Sequence, residues 1–209
     1  MKNRFSGDCK TGKKEQIPKI LIMCEGRKTE KNYFEKFEVR SADVEVVGTG
    51  YNTLSLVKKA SKKHKSNIYD QVWCVFDKDS FSDNDFNSAV AKAKNSGMRV
   101  AFSNESFELW FLLHFEYLNT GIGRNQYIDK LNDIFTNKKS EGFPAKYKKD
   151  DKNIYGYLKP YQKTAIKNSK RLYGNYCSGR VLPAKMCPVT SVHELVEELN
   201  KWIPSNRLQ

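Results

Sequence analysis

The sequence predicts an α/β fold, a parallel sheet flanked by helices, followed by a mainly helical C-terminal extension. In the first 119 residues, short apolar runs rich in β-branched or aromatic residues alternate four times with segments of helical periodicity. Such alternation is typical of a parallel sheet with helices on both faces. No convincing strand follows Asn119, where amphipathic helices and charged loops predominate. The chain of 209 residues is long enough to bury a proper core.

Four strand–helix pairs make up the α/β part. Each predicted strand is a short apolar run, and each predicted helix carries apolar residues on one face. The strands are Lys19–Cys24, Val44–Val47, Val72–Phe76 and Met98–Phe102. The helices that follow are Glu30–Val39 capped by Thr29, Thr53–Lys65, a helix from Ser82 or Asp83 to Asn95, and the strongly apolar Glu105–Leu118.

Three further helices are predicted after Asn119, around a charged loop. They are Arg124–Phe135, Tyr161–Tyr173 and Val192–Trp202, the last capped by Thr190 or Ser191, and the loop is Lys138–Lys152. We therefore divide the chain into a flexible basic arm (1–16), an α/β core (17–119) and a basic, mostly helical part packed on that core (120–209).

The composition favours a basic protein of a reducing compartment. Lys and Arg outnumber Asp and Glu by 37 to 24, which suits a polyanionic partner such as nucleic acid. The five cysteines form no CxxC pair, and two lie in predicted buried strands, so we expect reduced thiols and a cytoplasmic location. No apolar run is long enough to span a membrane, and no signal-peptide core is present. A phosphate-binding GxxxxGK[ST] motif is also absent.

Acidic residues directly follow two of the predicted strands. Glu25 comes after the first strand, and Asp77 and Asp79 come after the third. Because the carboxyl ends of parallel strands meet at one edge of a sheet, we expect these acids to converge there. Asp77 and Asp79 are two residues apart, so in an extended segment they point the same way. Carboxylates suit Mg²⁺ (or Mn²⁺), although acids after strands also serve as plain helix caps.

The pairing of a strand that ends in Glu-Gly with a later strand that ends in Asp-x-Asp resembles the Toprim domain. Toprim domains occur in topoisomerases, primases and nucleases of the overcoming-lysogenization-defect type. Three segments narrow the resemblance: CEGRKTEKNYFE, SNESFELWFLLHFE and CPVTSVHELVEEL. Together they resemble the RloB family of bacterial restriction-linked and abortive-infection proteins, from about Lys19 to Trp202. The chain departs from that pattern at Cys187-Pro188, where Asn-Pro is expected at a turn.

The resemblance implies roles for particular acids. It makes Glu25 the catalytic acid or a metal ligand, and Asp77 and Asp79 the main magnesium ligands. Glu30 is a candidate for a second metal or for a supporting position, and equally for a plain first-turn acid on a helix dipole. Lys28 is a candidate contact for the scissile phosphate, although a solvated lysine is the commoner outcome.

Two more acids open the apolar helix. Glu105 and Glu108 follow the fourth strand, which would bring them to the same edge of the sheet. Glu108 is the stronger candidate for a catalytic role because apolar residues surround it, and a buried acid needs a partner or a metal.

The C-terminal part carries a basic stretch with interleaved tyrosines. Positive charge holds a phosphate backbone and tyrosines can stack exposed bases, but a solvated helix face with structural tyrosines is equally compatible. If this part docks a protein partner instead, the tyrosines would be interface anchors. The candidate nucleic-acid-binding residues are Lys146, Lys148, Lys149, Lys163, Lys167, Lys170 and Arg171, and the tyrosines are Tyr147, Tyr155, Tyr157, Tyr161 and Tyr173.

The function expected from the resemblance is a Mg²⁺-dependent Toprim nuclease acting on RNA, with tRNA one candidate, or on DNA. It would be the toxic effector of a bacterial antiphage abortive-infection system with an ABC-type ATPase as a separate polypeptide. Two alternatives stay open: a catalytically inactive nucleic-acid-binding or adaptor subunit, and a phosphohydrolase that acts on nucleotides. The oligomeric state is also open, a homodimer included.

Overall fold

The computed structural model describes residues 17–79, 81–176 and 179–204, and these form the expected α/β fold. Five strands make one sheet in the order β2-β1-β3-β4-β5, and helices flank it. The predicted arm, 1–16, lies outside the described residues. The strands are β1 Lys19–Cys24, β2 Asp43–Gly48, β3 Gln71–Asp77, β4 Arg99–Asn104 and β5 Val189–Thr190.

Eight α-helices are described, and most of them follow the predicted segments. They are α1 Thr29–Phe34, α2 Thr53–His64, α3 Asp83–Asn95, α4 Glu108–Leu112, α5 Arg124–Asn137, α6 Ile154–Leu158, α7 Gln162–Gly174 and α8 Val192–Asn200. Three short 3₁₀ helices, Lys139–Glu141, Lys159–Tyr161 and Pro183–Lys185, complete the described regular structure.

The sheet is mixed, not wholly parallel. Strands β1 to β4 pair in parallel, but β5 pairs antiparallel with the end of β4, Ser103 opposite Thr190. The expectation of no strand after Asn119 was therefore wrong. A two-residue strand is too short to show any alternation in sequence. The pairing is supported by a contact of 3.0 Å between the hydroxyl groups of Ser103 and Thr190.

The two faces of the sheet carry different helices. On β3, Phe76 packs against Phe86 of α3, and α2 packs beside α3 on that face. Trp73, three residues earlier, faces the opposite side, where α7 and α8 lie. Side chains alternate along a strand, so neighbouring residues at a strand end are directed to different helical layers.

The long apolar helix predicted from Glu105 to Leu118 is much shorter in the structure. It spans Glu108–Leu112 and then gives way to turns. Two backbone carbonyls that would accept helical hydrogen bonds in a longer helix bind side chains instead. The His114 ring bonds the Trp110 carbonyl at 2.9 Å, and Asn168 of α7 donates to the Leu113 carbonyl at 2.9 Å. Tertiary contacts thus override a strong local helix signal.

The first helix also differs from its prediction. It ends at Phe34, well before Val39, although Phe37 still packs into the core as expected. Thr29 is the first helical residue and makes no cap; its hydroxyl donates to the carbonyl of Lys149 at 2.9 Å. The C-terminal part is therefore bound directly to the start of α1.

One hydrophobic core joins the α/β part to the C-terminal part. Tyr33 of α1 lies within aromatic contact of Phe107, Trp110 and Phe111 near α4 and of Tyr155 in α6. Burial of this many rings is the main stabilising term of such a core. The tyrosines proposed as base-stacking groups all belong to it: Tyr147 and Tyr155 are buried, and Tyr157, Tyr161 and Tyr173 pack against it. Tyr147 and Tyr155 are therefore not available for base stacking, whereas stacking by the other three stays a prediction.

Two of the cysteines lie in buried strands of the sheet. Cys24 and Cys74 are free thiols buried in β1 and β3, as predicted. Among the described residues, no helix is both long and apolar enough to cross a lipid bilayer.

Candidate functional site

The predicted acids lie at the carboxyl edge of the sheet, where β1 and β3 end side by side. The amide of Glu25 donates to the carbonyl of Val75 at 2.9 Å, and Asp77 is the last residue of β3. Asp79 follows two residues later with a φ of 37°, a left-handed conformation that Asp tolerates. The segment is thus not extended as expected, but Asp77 and Asp79 still meet a common partner, Arg124.

Glu25 stands on the α2 side of this edge. Its carboxylate accepts from the hydroxyl of Thr53, the first residue of α2, at 3.2 Å. Burial raises the pKa of Glu25 from 4.5 to about 7, although the Thr53 hydroxyl and the Asp77 amide hold it back, and repulsion from Glu30 and Asp79 adds to the rise. A carboxyl group with a pKa near neutrality can take up or release a proton under cellular conditions.

Three further acids lie on the α1 side of the same edge. Glu30 of α1 and Glu108 of α4 are buried, and the side chain of Asp77 at the end of β3 is 13% exposed. Asp77 accepts from the amide of Phe107 at 3.1 Å, and Glu108 accepts from the Tyr147 hydroxyl at 3.2 Å. The strand end and the starts of two helices therefore bring these carboxylates together.

The buried acids repel one another and are incompletely satisfied. Burial raises the pKa of Asp77 well above its ordinary value, and the charges of Glu30 and Glu108 raise it further. Burial and Glu108 likewise raise the pKa of Glu30. Asp77 Oδ1 and Glu30 Oε2 are buried without a hydrogen-bond partner. A buried carboxylate oxygen that lacks a donor is costly unless a cation or a proton compensates it.

Two cations from the C-terminal part face these acids. Arg124, the first residue of α5, lies 3.0 Å from Asp79 and 3.6 Å from Asp77. Lys149 lies 3.6 Å from Glu108. The α/β core therefore supplies the acids, and the C-terminal part supplies the counter-charges.

The segment around Lys149 is fastened across the start of α1. Besides the Thr29 contact, Asn32 donates to the carbonyl of Asp150 at 3.1 Å, and Lys28 pairs with the Asp150 carboxylate at 3.3 Å. The Lys28 ammonium, predicted to contact phosphate, is thus directed toward Asp150 on an exposed surface.

A cleft of about 330 Å³ opens between these groups. Gly26 forms part of its wall, and a Cβ on Gly26 would lie 2.0 Å from Glu30 Oε2, so any other residue here would force the Glu30 carboxylate to move. The cleft is lined by Gly26, Arg27, Lys28, Thr29, Glu30, Asp77, Phe107, Glu108, Arg124 and Lys149.

The remaining predicted residues lie elsewhere. Glu105 does not line the cleft. It lies near Cys187, whose pKa is raised mainly by burial and further by the charge of Glu105. Lys170 pairs with Glu197 at 2.6 Å, and Arg171 stacks 4.0 Å over the Tyr117 ring. The four other candidate nucleic-acid-binding lysines, Lys146, Lys148, Lys163 and Lys167, are exposed.

Sequence reasoning missed Arg124, Tyr147 and Thr53 as members of the site, and it assigned Lys149 to a separate basic surface. Arg124 is 45 residues from Asp79, and Tyr147 is 39 residues from Glu108. No local pattern links such positions, because their meeting depends on how α5 and the following loop pack on α4.

The donor set fits a hard divalent cation such as Mg²⁺ or Mn²⁺. All the acids offer oxygen, and the two buried carboxylate oxygens that lack a partner among the described residues, on Asp77 and Glu30, are both in the cluster. Within residues 17–79, 81–176 and 179–204, no three His, Cys, Asp or Glu side chains are arranged as a ready metal site. Mg²⁺ commonly uses only one or two carboxylates with water and substrate phosphate for the rest, so this set is sufficient.

Comparison with known proteins identifies a family. The family model described as RloB-like protein matches residues 20–199, most of the chain. No curated protein and no solved structure matches the chain.

Proposed function

The chain belongs to the RloB-like protein family, and from its acidic cleft we propose that it is a metal-dependent phosphodiesterase that cleaves nucleic acid. In keeping with the expected role of that family, we propose that it acts as the toxic effector of an antiphage abortive-infection system with an ABC-type ATPase partner.

One observation carries this proposal: buried, mutually repelling carboxylates at a strand edge with unpartnered oxygens, faced by Arg124 and Lys149. A purely structural cluster would be expected to satisfy its oxygens or to replace them by apolar groups. Retained unpaired acids in a cleft favour a functional site, because perturbed carboxyl pKa values concentrate at such sites.

In this proposal, different residues of the chain have different roles in phosphodiester hydrolysis. Glu25, with its pKa of about 7, would accept a proton from the attacking water. Arg124 and Lys149 would stabilise the negative charge that grows on the phosphate. Tyr147 and Glu108 would hold Lys149 in position. Asp77 and Glu30, with Asp79, would hold the divalent cation, which when bound supplies charge neutralisation at the phosphate.

Cleavage assays test the proposal directly. Purified protein should degrade labelled single-stranded RNA or DNA when Mg²⁺ or Mn²⁺ is present, and EDTA should abolish the reaction. Glu25→Ala and Asp77→Asn should each lose activity while remaining folded, as circular dichroism would verify. Glu25→Ala should also lose toxicity in cells that express the chain with its ATPase partner. Unchanged toxicity of a soluble Glu25→Ala protein would reject the role of Glu25.

A second candidate is an adaptor subunit that binds nucleic acid without cleaving it. It is favoured by the ion pairs of Arg124 with Asp77 and Asp79, since an internal cation at the acids can make a metal unnecessary. In that case the purified protein would bind nucleic acid equally well with EDTA or Mg²⁺, and no cation would promote cleavage.

A further inference from the structure

A groove on the outer surface of α2 and α3 is lined, among the described residues, by lysine and serine alone. It has a volume of about 470 Å³, and no described acid contributes to its wall. Within the described part of the chain, none of its lysines forms an ion pair. The lining residues are Ser55, Lys58, Lys59, Ser61, Lys62, Lys65 and Lys92.

The arrangement of these lysines is unfavourable for an isolated helix. Lys58 and Lys62 are four residues apart on α2, and Lys65 is three residues further. Like charges at these spacings repel one another, and a Glu at one of the positions would stabilise the helix instead. Five uncompensated cations around one groove are thus suited to a ligand that carries a row of negative charges.

The groove extends from the part of the sheet edge where Glu25 lies. Thr53, which binds Glu25, is the first residue of α2, and Lys58 follows it by five residues, or about 7.5 Å along the helix axis. Lys65 lies just past the other end of this helix of 12 residues, about 18 Å from Thr53. A chain of phosphates along α2 would therefore lead toward Glu25.

Between the groove and the acidic cleft stand an exposed aromatic ring and an arginine. Tyr51 is 40% exposed, and the ammonium of Lys59 lies 3.6 Å above its ring. Arg27 lines the cleft and also packs on Gly50, where a Cβ would lie 2.2 Å from its Nε. Tyr51 is more exposed than the tyrosines of the C-terminal part, and a base that stacks on it would use the other face of the ring or displace the Lys59 ammonium.

We propose that this groove binds the backbone of single-stranded nucleic acid and directs it to Glu25, with Tyr51 stacking an unpaired base next to the acids. An exposed stacking ring beside a lysine groove favours a single strand over a duplex, whose bases are already stacked. The role of the groove in delivering substrate to Glu25 rests on the proposed nuclease function. Binding of nucleic acid in the groove can be measured without cleavage.

Binding of a fluorescein-labelled poly-U RNA in EDTA, over a series of salt concentrations, tests this site. Lys58→Glu with Lys62→Glu should weaken binding by about tenfold or more at low salt. It should also reduce the slope of log affinity against log salt by about 1.4, since each lost phosphate contact contributes about 0.7. Tyr51→Ala should weaken binding by about fivefold or more with little change in slope.

A matched control separates this site from an effect of net charge. Lys63 and Lys139 are exposed and do not line the groove, so Lys63→Glu with Lys139→Glu makes the same change in charge elsewhere. This control should bind almost normally. Equal weakening by both double variants would overturn the proposal. If the Glu variant unfolds, the groove can be tested with Lys58→Gln and Lys62→Gln, which add no acid to α2. This variant should also bind RNA weakly.

Three further outcomes are decisive. If the groove variant binds RNA normally but no longer binds phosphatidylserine vesicles that the wild-type protein binds, the surface is a membrane contact and the proposal falls. If the wild-type protein binds through the groove but never cleaves, the nuclease function fails while the groove stands. If the groove variant retains both RNA affinity and full kcat/KM for cleavage, the groove fails while the nuclease function stands.

Discussion

The Nη1 atom of Arg124 lies 3.0 Å from Oδ2 of Asp79 at the edge where β3 ends. The same guanidinium reaches Asp77, so one residue of the C-terminal part faces both of the acids that we expect to be the main magnesium ligands. A divalent cation at these acids would compete with Arg124 for the same oxygens. This competition has consequences that can be measured.

Replacing Arg124 should make the fold dependent on a divalent cation. Without the guanidinium, Asp77 and Asp79 lose their nearest positive charge, so Arg124→Gln should lower the free energy of unfolding in EDTA by about 1–3 kcal/mol. Mg²⁺ should restore most of this loss. Thermal unfolding with and without Mg²⁺ measures both effects.

Lys130→Gln is the matched control on the same helix. Lys130 pairs with Glu116 at 2.9 Å, but both side chains are about 40% exposed. An exposed pair contributes only about 0–1 kcal/mol, and Mg²⁺ should not alter it. If Arg124→Gln is as insensitive to Mg²⁺ as this control, the acids do not hold a cation.

Asp77→Asn should separate stability from activity. The amide keeps an oxygen for the Phe107 N–H and removes a buried charge that Glu30 and Glu108 repel. We expect the variant to be more stable in EDTA by about 1–2 kcal/mol, or roughly 2–8 °C in Tm, and to be inactive in cleavage. Calorimetry measures the change in stability, and the cleavage assay measures the loss of activity. A variant that is destabilised and still active would be evidence for a purely structural role of Asp77.

Glu25 should make stability depend on pH. Its pKa is raised from 4.5 to about 7, so between these values the folded protein binds more protons than the unfolded chain. Stability contributed at this site therefore falls as pH rises from about 4.5 to 7 and is constant above. Relative to Glu25→Gln, the wild-type protein should lose stability across that window when unfolding is measured in EDTA.

Glu198 provides a control of opposite sign. Burial alone would raise its pKa, but hydrogen bonds from Lys201, Gln71 and Arg99 outweigh burial and bring it to about 2. Its contribution is present above pH 4.5 and is lost as pH falls toward 2. If Glu25→Gln and Glu198→Gln change the pH profile in the same direction, the account of Glu25 is wrong.

The basic face of α7 remains a predicted substrate surface. Lys163 and Lys167 are exposed and have no ion pair with a described residue, whereas Lys170 is already paired with Glu197. Changing Lys163, Lys167 and Lys170 to Glu should weaken nucleic-acid binding and reduce the salt slope by about 1.4, from the two unpaired lysines. If the variant binds nucleic acid normally but no longer associates with the ATPase, this face is a docking surface.

The sequence was informative wherever the local pattern decided the structure. The four parallel strands are apolar runs, and two of them stop at acids, so Glu25, Asp77 and Asp79 could be assigned to one sheet edge in advance. The sequence did not show that the two acids have different neighbours. Glu25 contacts Thr53 of α2, whereas Asp77 contacts the amide of Phe107, just before α4. Arg124 and Asp79 are 45 residues apart in the sequence, and no local sequence pattern indicates that they pair.

Binding of Mn²⁺, followed by electron paramagnetic resonance, tests the central claim most directly because it needs neither the correct substrate nor a partner. Wild-type protein should bind at least one Mn²⁺, and Mg²⁺ should displace it. Asp77→Asn should lose this binding, whereas Lys130→Gln should retain it. Absence of Mn²⁺ binding by the wild-type protein, with and without a bound oligonucleotide, or full binding by Asp77→Asn, would contradict a cation site at this sheet edge.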